Sequence, residues 1–333
     1  MDVTEMKHKF IDMHCDTISE LYRRKIVGKP YSLFENDLDI DIKRLAAGGA
    51  YIQCFAMFAY LTKVDSAYAH AEALTDIYYE ELEKYKDYIA PVFCLADIEK
   101  NEKVGKISAL LTLEEGECCE GSTEKLKHFY DRGARMMNIT WNFKNSLGHP
   151  NHIDVNNGSV SPDTENGLTE KGKEIVEYMC ELGMTVDVSH SSDKSFYDVA
   201  DIVKGPFVAS HSNCRQLCGH TRNLTDDMIR VLADHGGVSG LNYCPAFIKD
   251  GHPDAITADD FADHVLHFIK VGGEDVVGLG SDYDGISSRR LQIKDPSYAP
   301  LLWETLVKRG LTEDQADKVF YKNVLRVLSD IIK

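Results

Sequence analysis

The sequence predicts an α/β fold, a (β/α)8 TIM barrel, on three observations. Eight short apolar runs alternate with amphipathic helical patterns along the 333 residues. Such alternation makes a parallel sheet with right-handed crossovers, and eight strands favour a closed barrel over an open sheet. Five of the runs also end in His, Asp or Glu, and the carboxyl ends of barrel strands share one mouth. No G-x-G-x-x-G opens a helix and no Walker motif occurs, so nucleotide-binding folds have no support.

The first run, Phe10 to His14, delivers His14-Cys15-Asp16. Residues two apart on a strand point to one side, so His14 and Asp16 can reach one ion while Cys15 faces away. A helix and a loop fill 17–49, and Ala50 to Phe58 is the second strand. A long helix follows from Asp65 to Tyr88, with Ala69, Ala73 and Ile77 in helical register. Pro91 to Cys94 reads as an extra short strand. The third barrel strand starts at Ile107 and ends in Glu114-Glu115-Gly116. An apolar run bounded in this way reads as buried in a parallel sheet, with Glu114 at its carboxyl end. Ser122 to Arg132 is a helix, and Ala134 to Thr140 is strand four. A long polar loop, 141–168, then overhangs the strand ends as a lid.

Thr169 caps the next helix, and Gly183 stops it. Met184 to His190 is strand five and ends in a histidine. Pro206 to His211 is strand six and ends in another. Gly237 to Tyr243 is strand seven. Asp275 to Asp282 is strand eight, and its Gly278 and Gly280 imply close approach by backbone or ligand. Closing helices run to residue 332, one opened by the capping box Thr312 to Gln315. No linker or repeat divides the chain, so a single domain, 1–333, is expected.

Composition excludes several classes. A formal charge of −17 argues against nucleic-acid binding. No run of about 18 apolar residues exists to span a membrane. The amino terminus has neither a basic segment nor an apolar one of signal-peptide type. Nine scattered cysteines, with no C-x-x-C pair, suggest reduced thiols and a cytoplasmic setting.

Imidazoles and carboxylates converging at one mouth suit zinc or a similar transition metal. There are enough for two ions: His14 and Asp16 on one, His190 and His211 on the other, and Glu114 shared. Burying these carboxylates beside three imidazoles without cations would be costly.

The motifs Phe10-Ile-Asp-Met-His14-Cys-Asp16, Leu113-Glu-Glu-Gly116, Asp187-Val-Ser-His190, Ser210-His211-Ser212 and Gly278-Leu-Gly-Ser-Asp282-Tyr-Asp284-Gly285 resemble, in this order, the membrane (renal) dipeptidase family, peptidase family M19. That family belongs to the metal-dependent barrels of the amidohydrolase type. The resemblance spans about residues 10–330. It implies a cofactor of two Zn2+ ions per chain bridged by Glu114, with a hydroxide between them as nucleophile. It implies Asp282 as the catalytic proton carrier and Arg222 as the clamp on the substrate's terminal carboxylate. A bidentate guanidinium suits that anion. The substrate would be a dipeptide, extending to those with a D-residue at the C-terminal position. The resemblance also suggests a homodimer, and the lack of the signal peptide and anchor tail of animal members fits a soluble, bacterial-type enzyme.

Two departures stand out. The family usually has Glu-Gly-Gly where this chain has Glu114-Glu115-Gly116, which puts Glu115 near the mouth as an extra acid. After strand four, animal members have Thr-His where this chain has Thr140-Trp141. Trp141 is therefore a candidate substrate contact, and His149 or His152 is left to replace the missing imidazole. One rival reading is another binuclear amidohydrolase acting on N-acyl amino acids, lactones or cyclic amides. The other is a metal-bound but catalytically silent binding protein.

Overall fold

A computed structural model describes residues 8–153, 159–251 and 254–332. The strands are β1 (Phe10–Asp12), β2 (Ala50–Phe58), β3 (Ile89–Pro91), β4 (Ile107–Glu114), β5 (Ala134–Asn138), β6 (His152–Ile153), β7 (Val160–Ser161), β8 (Thr185–Asp187), β9 (Val208–Ala209), β10 (Val238–Leu241) and β11 (Val277–Leu279). The main sheet runs β2-β1-β11-β10-β9-β8-β5-β4, and a parallel β2–β4 pairing closes it into a barrel. The expected extra strand exists two residues earlier, as β3. It pairs with the start of β4 at Ile107–Ala109, below the point where β5 joins at Leu111.

Alternation along the strands explains which side chains enter the barrel. In β4, Leu110 belongs to the inner core while Leu111 and Leu113 pack outward against the helices. Thr112 and Glu114 share Leu110's phase, so Glu114 is delivered to the interior at the top of the strand. The C-terminal helix Asn323–Ile331 adds Val324, Val327 and Leu328 to the inner cluster. Val324 lies under the strand starts, where a Cβ on Gly278 would come within 2.6 Å of it. A Cβ on Gly280 would sit 1.7 Å from the Ser210 carbonyl oxygen, so the expected close approach is by backbone.

Helix starts follow their caps. Thr169 accepts a hydrogen bond from Gly172 N, and Thr257 with Asp260 and Thr312 with Gln315 form capping boxes. Such caps contribute about 1 kcal/mol each. Three short helices escaped the pattern, Ile42–Gly48, Leu95–Lys103 and Pro245–Ile248, because each is too brief to establish a period. Most barrel strands are shorter than their apolar runs. Strand six, expected over 206–211, pairs only at Val208–Ala209, so His211 lies beyond the ladder. No helix among the described residues is long and apolar enough to cross a membrane. All nine cysteines are unpaired thiols.

Candidate metal centre

His14, Asp16, Glu114, His190, His211 and Asp282 come together at the mouth, all but His190 and Asp282 nearly inaccessible. Glu114 Oε2 lies 3.3 Å from His14 Nε2, and His14 Nε2 lies 3.5 Å from Asp16 Oδ2. The other Glu114 oxygen, Oε1, faces His190 Nε2 at 3.3 Å and His211 Nε2 at 3.8 Å. One carboxylate thus addresses two groups of ligand atoms. Two overlapping sets lie close enough to hold a cation: His14 with Glu114 and His211, and His14 with Asp16 and Asp282.

Hydrogen-bond logic tests whether cations fit. His190 Nδ1 meets the Asn142 side-chain oxygen at 2.8 Å, and an amide oxygen only accepts. His190 therefore carries its proton on Nδ1. Ser210 Oγ donates to the Asp187 carboxylate, so it accepts from His211 Nδ1 at 2.7 Å. Both Nε2 atoms are then bare lone pairs, yet they stand 2.9 Å apart with a carboxylate oxygen beside them. No hydrogen bond joins two acceptors; a shared cation would. Burial, and then the Arg222 and His14 charges, pushes His190 well below its ordinary range, which keeps it in the ligating form. Burial also lowers His211, with His14 and Arg222 next. On the other side, His14 Nε2 and Asp16 Oδ1 are buried without any hydrogen-bond partner. Buried orphans of this kind are uncommon and point to an unsatisfied ligand role. The donor set fits zinc-type ions.

The backbone is bent to make this arrangement. His190, Asp282, Asp284 and Glu115 all have positive φ, between 63° and 87°. Non-glycine residues rarely occupy that region, and clustered outliers mark functional sites. The turn at His190 ends the strand before its ligand, which explains why pairing stops at Asp187. Gly285 is needed for space: a Cβ there would lie 2.1 Å from Asp16 Oδ2 and 2.6 Å from Asp282 Oδ1.

Asp282 accepts from Asn242 Nδ2 at 3.0 Å, and its backbone N–H donates to the His14 carbonyl. Burial is the main cause that pushes its carboxyl up to about 8. His14 opposes the shift, while the Asp16 and Glu114 charges add to it. Arg222 is buried and donates to the His211 carbonyl at 3.2 Å and to Ser212 Oγ at 3.3 Å. Its Nε has no partner, and its guanidinium lies 5.4 Å from the Phe247 ring centre. Phe247 lines the cleft above the ligands, a space of about 320 Å³ that also exposes Asp16, Glu114, Trp141, His190 and Asp282.

Trp141 reaches the cleft. Its ring packs 5.8 Å from His190 and 5.0 Å from Phe58. Neither candidate replacement imidazole lines the cleft. His149 Nδ1 bonds the Gly167 carbonyl at 2.9 Å, and His152 is exposed beside Asp163. Glu115 corrects its expected place near the mouth: it is fully buried and does not line the cleft. It accepts from Trp141 N at 3.0 Å, from Glu117 N and from Asn145 Nδ2, and so ties down the start of the 141–168 loop. The middle of that loop, 154–158, lies outside the described residues.

Sequence reasoning missed the supporting shell. Asn142 and Ser210 set the two imidazole tautomers, Asn242 orients Asp282, and Asp12 accepts from Ser281 N and Oγ beside it. The only signal for the acids was spacing, Asp12 two before His14 and Asp187 three before His190.

The description "Membrane dipeptidase (Peptidase family M19)" belongs to a family model that matches residues 3–333. A protein from the pqqA 5' region of Klebsiella pneumoniae is 36% identical, over 77% of this chain and 96% of its own length. An uncharacterised dipeptidase of Schizosaccharomyces pombe is 32% identical, over 96% of this chain and 80% of its own. Among solved structures, a metallo peptidase from Rhodobacter sphaeroides, liganded with a phosphinate mimic of L-Ala-D-Ala, superposes with a TM-score of 0.89. It is 24% identical, with 97% of this chain and 99% of that one covered.

Proposed function

Because the chain belongs to the membrane dipeptidase family, peptidase family M19, we propose that it is a zinc-dependent dipeptidase acting on free dipeptides, including those with a D-residue at the C-terminal position. The observation that carries this reading is the pair of bare Nε2 lone pairs facing Glu114 Oε1, with His14 on the other oxygen and Asp16 beside His14. Two zinc ions would be held, one by His14 and Asp16, one by His190 and His211, with Glu114 shared. When bound, they supply Lewis acidity toward the scissile carbonyl and acidify water near neutral pH.

The chain's own groups do the rest. Arg222, with a free Nε and no carboxylate bonded to it among the described residues, clamps the substrate's terminal carboxylate. That clamp restricts substrates to those whose free carboxylate lies one residue from the scissile bond. Asp282, held by Asn242, takes the proton from the attacking water and returns it to the leaving amine. Trp141 walls the cleft beside His190 and shields it from solvent. Nine unpaired cysteines agree with a reducing, cytoplasmic setting.

The test pairs two measurements on one preparation. Metal per chain is determined, and L-Xaa-D-Xaa and L-Xaa-L-Xaa dipeptides are assayed before and after chelation. The expected result is about two zinc ions, with turnover lost to chelator and restored by zinc. Two metals without dipeptide turnover would move the assignment to N-acyl amino acids, lactones or cyclic amides.

A further inference from the structure

A second cavity of about 340 Å³ adjoins the cleft. The two share Phe58 and Arg23 as common walls. Its remaining surface is largely ring and aliphatic: Tyr22 and Ile26 from the helix after β1, Tyr60 and Val64 from the loop after β2, and His70. Tyr22 meets His70 edge-on at 5.3 Å, and Phe58 meets Tyr60 edge-on at 6.1 Å. Burial lowers His70, which leaves its ring neutral at pH 7. Among the described residues no acidic side chain lines this space; Arg23 and Lys63 do, and Arg23 is paired with Glu20, which lines the adjoining cleft.

Its place in the barrel says which part of a substrate would enter. In the closed strand order, β9 and β2 stand opposite each other. Arg222 lies on the stretch after β9, and Phe58 is the last residue of β2. Glu114 and His14 lie between them, on β4 and just past β1. An extended dipeptide with its carboxylate at Arg222 and its scissile carbonyl over the ligands therefore runs toward β2. Its N-terminal residue ends beside Phe58, at the opening of the second cavity.

We propose that this cavity is the pocket for the N-terminal side chain of the substrate and that it selects large aromatic residues. The inference rests on the dipeptidase reading and adds a substrate class to it. Aromatic rings pair edge-on or offset with Tyr22, Phe58 and Tyr60, and displace water from mainly apolar walls. A lysine or arginine side chain entering the same space meets the Lys63 ammonium and an Arg23 already paired with Glu20, with no further acid among the described lining residues to receive it.

The experiment is a comparison of kcat/KM for L-Phe-D-Ala, L-Tyr-D-Ala, L-Ala-D-Ala and L-Lys-D-Ala with the zinc-loaded enzyme. The expected order places the aromatic substrates at least ~10-fold above L-Ala-D-Ala, mainly through KM, and L-Lys-D-Ala lowest. Val64→Trp and, separately, Ile26→Trp fill the cavity, and the Phe-to-Ala ratio is read within each variant so that overall loss of activity cancels. That ratio should fall to about one in both. A wild-type ratio of one or less, or a ratio unchanged in both variants, overturns the pocket while L-Ala-D-Ala turnover keeps the dipeptidase reading. Absence of turnover on every dipeptide overturns both.

Discussion

The two sides of the metal centre are built differently. On the His190–His211 side each imidazole is held from behind, by Asn142 and by Ser210 backed by Asp187. On the His14 side the crowding is of carboxylates: Asp16, Glu114 and Asp282 converge, and His14 Nε2 and Asp16 Oδ1 have no hydrogen-bond partner. The first side is preorganised by hydrogen bonds that exist without an ion. The second is a cluster of negative charge that only a cation makes comfortable. The contrast teaches that one metal centre can divide its labour, with neutral groups fixing geometry and acids gathering charge and protons. Outer partners of ligating histidines set tautomer and basicity, so the first side owes much of its affinity to residues that never touch an ion.

Three substitutions break or sharpen that contrast. Glu114→Ala removes the carboxylate that the proposed reading places between both sides. Elemental analysis should find neither ion retained, and turnover should drop at least ~1,000-fold; retention of one ion would show that the sides are independent. Asp282→Asn keeps the shape of the acidic side but removes its proton carrier. Turnover should fall ~100- to 10,000-fold with metal content intact. Metal loss instead would make Asp282 chiefly a ligand, as its closeness to His14 and Asp16 allows. Asn142→Ala takes the hydrogen bond from behind His190. It should weaken one metal ion by ~10- to 100-fold and leave the other alone, seen as a split in a competitive chelator titration. Equal weakening of both ions would erase the proposed division.

Much of the site was legible because strand ends in a barrel are read directly from local pattern. Glu114 follows from period-two alternation in Ile107–Glu114, and His14 with Asp16 from the same spacing rule. Where each ladder stops short of its functional residue was less legible. His190 and Asp282 bend to positive φ, so the backbone leaves the ladder before the residue that matters, and an apolar run cannot report that bend. Glu115 was misplaced for a related reason. Its own φ of 87° turns its side chain away from Glu114's, into the loop where Trp141 N and Asn145 meet it. A charged residue beside a ligand reads as part of the mouth until the backbone direction is known.

The sequence by itself determined the barrel, the order of its strands and the residue types gathered at its mouth, since these depend on periodicity, composition and neighbours in the chain. Tertiary structure alone decided which nitrogen of each imidazole faces the centre, that Asn142 and Asn242 support it, and that a second cavity opens beside Phe58. Those features join residues tens to hundreds of positions apart, such as Asn142 with His190 and Thr17 with Asp284. Side-chain direction and the packing of distant loops set them, and neither leaves a period in the chain.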